Sequence, residues 1–323
     1  MKLIIILKHK FDLWNAPAWF AQKLRKNFPN LDVIHLPGYE NIEEHLRDAE
    51  IAIAWSLRPE QFAAAGKLRW IHSPAAAVHQ LMFPELVNSN VQVTNSREVH
   101  APVVAEHVIA LLCALAKKIP QAVRLQQKRI WGKDTLRPSE LAGATLALVG
   151  LGSIGREVAK RASALGMRLL AVRKNPDKGP VEGVERVFPA SELDAALMQA
   201  DYVLLAAPRT SATEKLINSG RLAKFKPNAY LINVSRGALV DEVALADALR
   251  NSKIAGAALD VFSDEPLPGN SPLWGLENLL VTPHIAAVTE KLWERHYSLI
   301  HENLRRYLAG EPLLGLVDKK KGY

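Results

Sequence analysis

The feature that most constrains the fold of this chain is the glycine-rich turn in residues 146–166, LALVGLGSIGREVAKRASALG. Four apolar residues, Leu146, Ala147, Leu148 and Val149, run into Gly150, Gly152 and Gly155, spaced as GxGxxG, and an Ala-rich and basic stretch follows. The change of pattern across the turn predicts a strand, a tight turn and a helix. Gly150 permits the sharp turn, Gly152 lets the backbone approach a pyrophosphate, and Gly155 lets the helix pack closely on its strand. Phosphates then meet the helix N-terminus, where unpaired N–H groups and the dipole favour anions. Gly150, Gly152, Ser153, Ile154 and Gly155 are therefore candidate residues for holding a dinucleotide. Glycine-rich turns are common, and it is the flanking strand and helix that give this one its meaning.

At 323 residues the chain suits two α/β domains, with roughly 150 residues per domain as the guide. Strand-like runs at 3–7, 31–36, 51–55, 68–72 and 91–94 alternate with helical runs at 16–28, 42–49 and 60–65, which implies a mainly parallel sheet with helices on its faces. This half has no glycine fingerprint and reads as a substrate domain. A long apolar helix is expected over 101–118, with Pro102 near its start and Pro120 past its end; within it Glu106 and His107 read as a buried, hydrogen-bonded pair that helps fix two domains together, with a catalytic role as the alternative. A basic amphipathic helix over 121–131 carries Trp131, a candidate for burial at an interface such as that of a dimer. The nucleotide half is expected to place strands at 145–149, 168–172, 202–206, 229–233, 256–261 and 280–281, with helices at 191–200, 214–223 and 241–251 between them. A last helix over 288–308 is expected to return to the first domain. The expected division is 1–100 for the first part of the substrate domain, 101–286 for the nucleotide domain, and 287–323 for the returning helix and tail.

Apolar runs such as 3–7 are far shorter than the roughly 20 residues a membrane span needs, so no membrane partner is expected. The one cysteine, Cys113, lies in an apolar run, where it reads as a small hydrophobe in a reducing compartment. The net charge of +8 is spread along the chain apart from Lys319, Lys320 and Lys321, which read as a solvated tail. No nucleic-acid motif accompanies it, and a surface that attracts small anionic substrates and a phosphate-bearing cofactor explains the charge as well.

The end of the second nucleotide-domain strand faces the adenosine ribose in such a site, and an acidic residue there would accept from both ribose hydroxyls. Here the strand ends in Arg173, Lys174 and Asn175. Two cations pair with the 2′-phosphate of NADP, and the arginine can stack on adenine, so NADP(H) is expected over NAD(H). The competing reading is a solvated basic turn.

Three further strand ends carry chemistry: Arg236 in LINVSRGALVD, Asp260 and Glu265 in ALDVFSDEP, and His284 in VTPHIAAVT. Singly they read equally as a surface charge, a turn residue and a satisfied core histidine. Jointly they suit hydride transfer to a carbonyl carbon, which needs a proton donor for the oxygen, and a histidine fills that role. A carboxylate on its other nitrogen would orient the ring and favour the cation. An arginine would hold a substrate carboxylate and polarise the carbonyl. No metal is called for.

With VGLGSIG, LINVSRGALVDEVALADAL, GAALDVFSDEP and TPHIAA in this order, the chain closely resembles the D-isomer-specific 2-hydroxyacid dehydrogenases over nearly its whole length. The resemblance implies two Rossmann-like, doubly wound parallel-sheet domains with the active site in the cleft between them, and a usually dimeric, cytoplasmic enzyme. It implies Arg236 for substrate binding, Glu265 and His284 as the acid/base pair, and Asp260 near the nicotinamide carboxamide. Pro208 and Thr213 of the loop AAPRTSAT fall among its cofactor contacts, with Arg209 in place of a common leucine. The stretch IHSPAAAVHQL stands where the family has a glycine-containing loop whose amides bind the substrate carboxylate, which assigns Ala76 and Ala77 to the substrate. Alanines at 75–77 replace the usual glycines. Trp55, Leu57 and Arg58 fall where a strand end approaches the substrate's side chain. Arg173, Lys174 and Trp131 look most like the NADPH-dependent glyoxylate/hydroxypyruvate reductase branch, implying reduction of a small 2-keto acid to the D-2-hydroxy acid. Relatives on this scaffold include corepressors, formate dehydrogenases, in which a glutamine stands at the place of Glu265, and phosphite dehydrogenases.

Overall fold

After Lys2 the first strand is a continuous apolar run instead of an alternating one, and Leu3, Ile4, Ile5 and Ile6 are all fully buried, as befits a strand covered on both faces. The computed structural model describes residues 1–177 and 179–322; Tyr323, which ends the expected tail, lies outside them. In chain order the elements are β1 (Lys2–Ile6), α1 (Ala18–Asn27), β2 (Asp32–His35), α2 (Ile42–Leu46), β3 (Ile51–Ala54), α3 (Pro59–Ala64), β4 (Trp70–Ser73), α4 (Pro84–Val87), β5 (Gln92–Asn95) and α5 (Arg97–Ala116). Then come α6 (Ile119–Gln127), β6 (Thr145–Val149), α7 (Ser153–Ala164), β7 (Arg168–Arg173), β8 (Arg186–Pro189), α8 (Leu193–Leu197) and β9 (Tyr202–Leu205). The chain finishes with α9 (Ser219–Leu222), β10 (Tyr230–Asn233), α10 (Glu242–Arg250), β11 (Gly256–Leu259), β12 (Leu279–Val281) and α11 (Leu292–Leu308).

Two compact units result, Met1–His100 with Thr289–Tyr323, and Ala101–Val288. In the first, a parallel sheet of order β2-β1-β3-β4-β5 is covered on one face by α1 and α11. Trp293, Tyr297, Ile300 and Leu304 of α11 pack on Leu3, Ile5, Phe20 and Leu24, which ties the end of the chain to its beginning. The segment after α11 adds to the sheet edge, where the Asn95 amide donates to the Gly315 carbonyl at 3.0 Å and the Val317 amide to the Val93 carbonyl at 2.8 Å. Lys319 is not a solvated tail residue: its ammonium donates to the carbonyls of Leu86, Ser89 and Val91 at 2.6–3.0 Å.

The second unit is a seven-stranded parallel sheet of order β12-β11-β10-β9-β6-β7-β8. The chain leaves β6 toward β7 on one side and later returns to place β9 on the other, so the topological switch point lies between β6 and β9, where open α/β sheets bind ligands. Both sheets are wholly parallel, the α/β class expected of the sequence.

Several elements differ from the sequence reading. The helix expected over 101–118 begins at Arg97 and takes in Pro102, and at 20 residues it is long and apolar enough to cross a membrane by length and composition alone. Its apolarity is used in the core, with Val104, Ala105, Val108 and Leu112 packed beside Leu146, Leu148 and Val158. Glu106 and His107 are not a buried pair, because Glu106 faces solvent and its carboxylate lies 4.0 Å from Arg161. The helix expected over 121–131 ends at Gln127, where Arg129 adopts a left-handed φ of 57° and terminates it, leaving Trp131 outside. The helix expected over 214–223 is a single turn, α9, capped by the Asn218 side chain, because Ile217 instead bridges to Val240. β8 has no counterpart in the sequence reading, for its edge position leaves Arg186 exposed over the Phe188 ring.

Candidate active site

β10, β11 and β12 lie side by side, and each is followed by one of the side chains singled out above. The Nδ1–H of His284 donates to Oε2 of Glu265 at 2.6 Å, and the Phe262 amide donates to the other carboxylate oxygen at 3.0 Å. Burial pushes the Glu265 carboxyl up, but the bonds from His284 and Phe262 and the charges of His284 and Arg236 together hold it below the usual carboxylate range. With Nδ1 occupied, the Nε2 edge of a partly exposed ring is left to exchange a proton. Arg236 is half-buried and donates through Nη1 to the Ser235 carbonyl at 2.6 Å. Burial draws its guanidinium down while Glu265 opposes this, and it stays cationic.

The backbone around these groups is held from beneath. His284 has a left-handed φ of 54°, a conformation costly for a residue with a Cβ. Its amide donates to the Asp260 carbonyl at 2.8 Å, while the Asp260 carboxylate accepts from the Ile285 and Ala286 amides at 3.0 Å and from Thr282 Oγ1 at 2.6 Å. Since the Thr282 hydroxyl spends its proton on Asp260, it must accept at 3.2 Å from Nε2–H of His107. At the end of β10, fully buried Asn233 accepts from the amide and hydroxyl of Ser235 at 3.0 Å and donates to the Arg236 carbonyl at 2.9 Å. A Cβ on Gly237 would lie 1.9 Å from the Phe262 carbonyl carbon, so only glycine lets the Arg236 loop meet the loop that carries Glu265.

At the switch point, Gly150 has φ 107° and a Cβ there would lie 2.6 Å from the Ala206 carbonyl group, while a Cβ on Gly155 would lie 2.3 Å from the Gly150 oxygen. A Cβ on Gly152 would meet nothing within 4 Å, and α7 starts at Gly152 without a side-chain cap. Ser153 and Ile154 open that helix. At the end of β7, Arg173 donates through Nη2 to the carbonyls of Pro176 at 2.6 Å and Gly179 at 2.5 Å, its buried Nε has no partner among the described residues, and Lys174 is exposed. The loop after β9 is knotted by Thr213, whose hydroxyl donates to the Pro208 carbonyl and accepts from the Thr210 amide, both at 2.7 Å. Arg209 is exposed, 3.4 Å from Glu214.

Residues 109–286 match the family described as D-isomer specific 2-hydroxyacid dehydrogenase, NAD binding domain. A glyoxylate reductase from Thermofilum pendens is 36% identical over 88% of this chain and 86% of its own. This chain belongs to the D-isomer-specific 2-hydroxyacid dehydrogenases. As a member of that family it is an oxidoreductase that uses NAD(P). A D-3-phosphoglycerate dehydrogenase from Methanocaldococcus jannaschii is 34% identical over 86% of this chain, which spans 53% of that relative's length. A D-isomer specific 2-hydroxyacid dehydrogenase from Xanthobacter autotrophicus Py2, solved with NADPH and MES, superposes with a TM-score of 0.84 at 31% identity, covering 100% of this chain and 99% of the other.

The residues present fit the dinucleotide. Gly150 and Gly155 are glycines because protein backbone crowds them, whereas Gly152 has open space before it at an uncapped helix start, the place for a pyrophosphate. In the first unit of the dehydrogenase, the loop after β4 is pinned by Asn95 Nδ2 donating to the Ala76 carbonyl at 2.7 Å. No residue from 74 to 78 has positive φ, so alanine fits the backbone of this loop without strain. The amides of Ala76 and Ala77 carry no partner among the described residues and both residues are half-buried. Of the strand-end residues after β3, Leu57 is core, Arg58 is exposed beside α3, and Trp55 is half-buried with its ring edge-on to Trp14 at 5.8 Å. Sequence reasoning missed Asn233, Gly237 and Thr282. Asn233 and Thr282 show no pattern that separates them from ordinary strand-end polar residues, while Gly237, directly after Arg236, was the one readable sign.

Proposed function

We propose that this enzyme reduces a small 2-keto acid of the glyoxylate or hydroxypyruvate kind to the D-2-hydroxy acid with NADPH. The observation that carries the reading is the Glu265–His284 pair at 2.6 Å, with the half-buried Arg236 close enough for its charge to act on Glu265. In this reading Arg236 holds the substrate carboxylate through a charge-assisted pair and polarises the carbonyl. In the first unit, the amides of Ala76 and Ala77, without a partner among the described residues, suit a substrate carboxylate. His284 delivers a proton from Nε2 to the carbonyl oxygen, and Glu265 stabilises the imidazolium and fixes the ring. The bound nicotinamide supplies the hydride. Gly150, Gly152, Ser153, Ile154 and Gly155 hold its pyrophosphate, with Pro208 and Thr213 lining its path and Asp260 holding the His284 turn beneath it. Residues 1–100 with the C-terminal helix and tail act as the substrate domain and 101–286 as the nucleotide domain.

The preference for NADP(H) rests on Arg173 and Lys174 at the end of β7, where residues 173–175 offer no carboxylate to accept from the ribose. Arg173 satisfies itself on the carbonyls of Pro176 and Gly179, and a 2′-phosphate offers it a stronger, charged partner. The NADPH-bound relative from Xanthobacter supports the same choice. A cytoplasmic homodimer is part of the reading: Ile119, Val123 and Ile130 are about half exposed and Trp131 is 92% exposed, an apolar patch that water does not favour.

Following NADPH oxidation with glyoxylate, hydroxypyruvate, pyruvate and phenylpyruvate in parallel tests the reading, with 3-phosphoglycerate and phosphite oxidation as further arms. Highest kcat/KM on glyoxylate or hydroxypyruvate supports it. Preference for 3-phosphoglycerate or phosphite overturns the substrate, and tight NADPH binding without any turnover points to a regulatory, corepressor-like role.

A further inference from the structure

Three buried histidines in the first unit take no part in the chemistry above. His72 and His296 are fully buried and His100 is 4% exposed. Their protons can be placed one by one, because the groups at the two ends of their network are one-way: the Trp70 indole only donates and the Pro74 carbonyl only accepts.

The Trp70 indole N–H donates to Thr94 Oγ1 at 2.8 Å, and the remaining contact of that hydroxyl among the described residues is Nδ1 of His72, also at 2.8 Å. The Thr94 proton therefore goes to Nδ1, and a neutral His72 carries its own proton on Nε2. That N–H points at Ser96 Oγ, 3.1 Å away, whose other contact is Nδ1 of His296 at 3.1 Å. Ser96 thus accepts from His72 and donates to His296, which leaves the His296 proton on Nε2. At the far end, Nε2 of His100 lies 3.0 Å from the Pro74 carbonyl, an acceptor only, so His100 also carries its proton on Nε2. Two ring atoms of these histidines remain unpaired among the described residues, Nε2 of His296 and Nδ1 of His100. They are complementary, one a donor and one an acceptor, on rings whose centroids are 5.1 Å apart at 69°.

We infer that Trp70, Thr94, His72, Ser96, His296 and His100 form one directional hydrogen-bond chain, closed between the last two rings through one water, that fixes the Pro74 carbonyl and makes His100 and His296 positioning residues for the substrate loop. The functional half of this inference rests on the proposed role of the Ala76 and Ala77 amides. The chain ends at the start of the loop, which Ser96 also holds by donating its amide to the Ala75 carbonyl at 3.3 Å, so a single serine joins the histidines and the loop. Burial supports the neutral state on which the proton placement depends: it pushes His72 down to about 3, lowers His100, and lowers His296 well below its ordinary value with His100 and His72 adding to the effect.

The chain itself is tested on the unaltered enzyme by long-range 1H–15N correlation spectra of its histidines at pH 7. All three buried rings are expected as the Nε2–H tautomer; an Nδ1–H tautomer or an imidazolium at any of them overturns the chain. The positioning role is tested with His100→Phe, which cannot donate to Pro74, and His100→Gln, whose amide can. The expected result is a roughly tenfold rise in keto-acid KM for His100→Phe, with NADPH KM unchanged, and recovery of most of it in His100→Gln. Equal loss in both variants, or parallel movement of both KM values, overturns the positioning role. Ala76→Pro and Ala77→Pro, which each remove one loop amide, separate the two claims. If they leave keto-acid KM unchanged while the tautomers are as stated, the substrate-loop reading fails and the hydrogen-bond chain stands.

Discussion

Asp260 holds His284 by its backbone: the carbonyl accepts from the His284 amide at 2.8 Å, and the carboxylate accepts from the next two amides at 3.0 Å. Four bonds from one fully buried residue hold the left-handed turn that presents the imidazole. The resemblance assigns Asp260 to the cofactor, yet its carboxylate oxygens already serve Thr282, Ile285 and Ala286. Asp260→Asn puts a donor where amides already donate and lets the turn relax. We expect kcat to fall roughly 100-fold, the cost of misplacing a catalytic group by about an ångström, with NADPH affinity changed far less. Steady-state kinetics beside a fluorescence titration with NADPH reads both numbers, and an affinity loss as large as the kcat loss would return Asp260 to the cofactor.

Gly237 joins two loops through a contact with no room for a methyl group. A Cβ would lie 1.9 Å from the Phe262 carbonyl carbon and 2.2 Å from the Ser263 nitrogen, both backbone atoms that cannot rotate away. Gly237→Ala should cost roughly 3 kcal/mol of stability and, in the protein that still folds, lower kcat/KM more than tenfold by parting Arg236 from Glu265. Thermal unfolding and steady-state kinetics check it, and wild-type values in both would show the contact to be compliant.

Cofactor choice turns on the end of β7. Arg173→Asp replaces the guanidinium with an acceptor suited to ribose hydroxyls and repels a 2′-phosphate. The ratio of kcat/KM for NADPH to that for NADH should fall at least tenfold and approach or pass unity. A wild-type enzyme that favours NADH contradicts the account at its source.

The buried histidines also make the first unit acid-sensitive. An unfolded His72 takes up a proton as pH falls through about 6.5, whereas the folded one resists until about 3, so between those values the unfolded state binds more protons and stability falls with falling pH. Above that window the folded state keeps its full stability. His72→Gln, which stays neutral throughout, should be less stable at pH 7 but show a shallower loss of Tm between pH 6.5 and 4.5. A slope equal to that of wild type would assign acid sensitivity to other groups.

Much of the fold was legible because its signals are local. The run 146–149 ahead of Gly150, and the ends of β10, β11 and β12, announce themselves by apolar strands that stop at polar residues, and these place Arg236, Glu265 and His284 correctly on loops after neighbouring strands. What the sequence hid depends on contacts distant in the chain. Nothing near residue 237 says that residue 262 comes within van der Waals reach, and nothing near Ile217 says that it bridges to Val240 and cuts α9 to one turn. Glu106 and His107 are adjacent in sequence, but a helix points neighbours about 100° apart, which sent one to solvent and the other to Thr282. His72, His100 and His296 lie far apart in the chain, and only the folding of β4, the start of α5 and α11 makes them neighbours.

The central claim is that His284, held by Glu265, gives the proton to the keto acid, and His284→Ala tests it most directly. In single-turnover reduction of glyoxylate or hydroxypyruvate with saturating NADPH, the account predicts a rate lower by about 10²–10⁴, with the NADPH dissociation constant within about twofold of wild type, since Gly152 and Arg173 are untouched. A variant that binds NADPH normally and still reduces the keto acid within tenfold of the wild-type rate would contradict it.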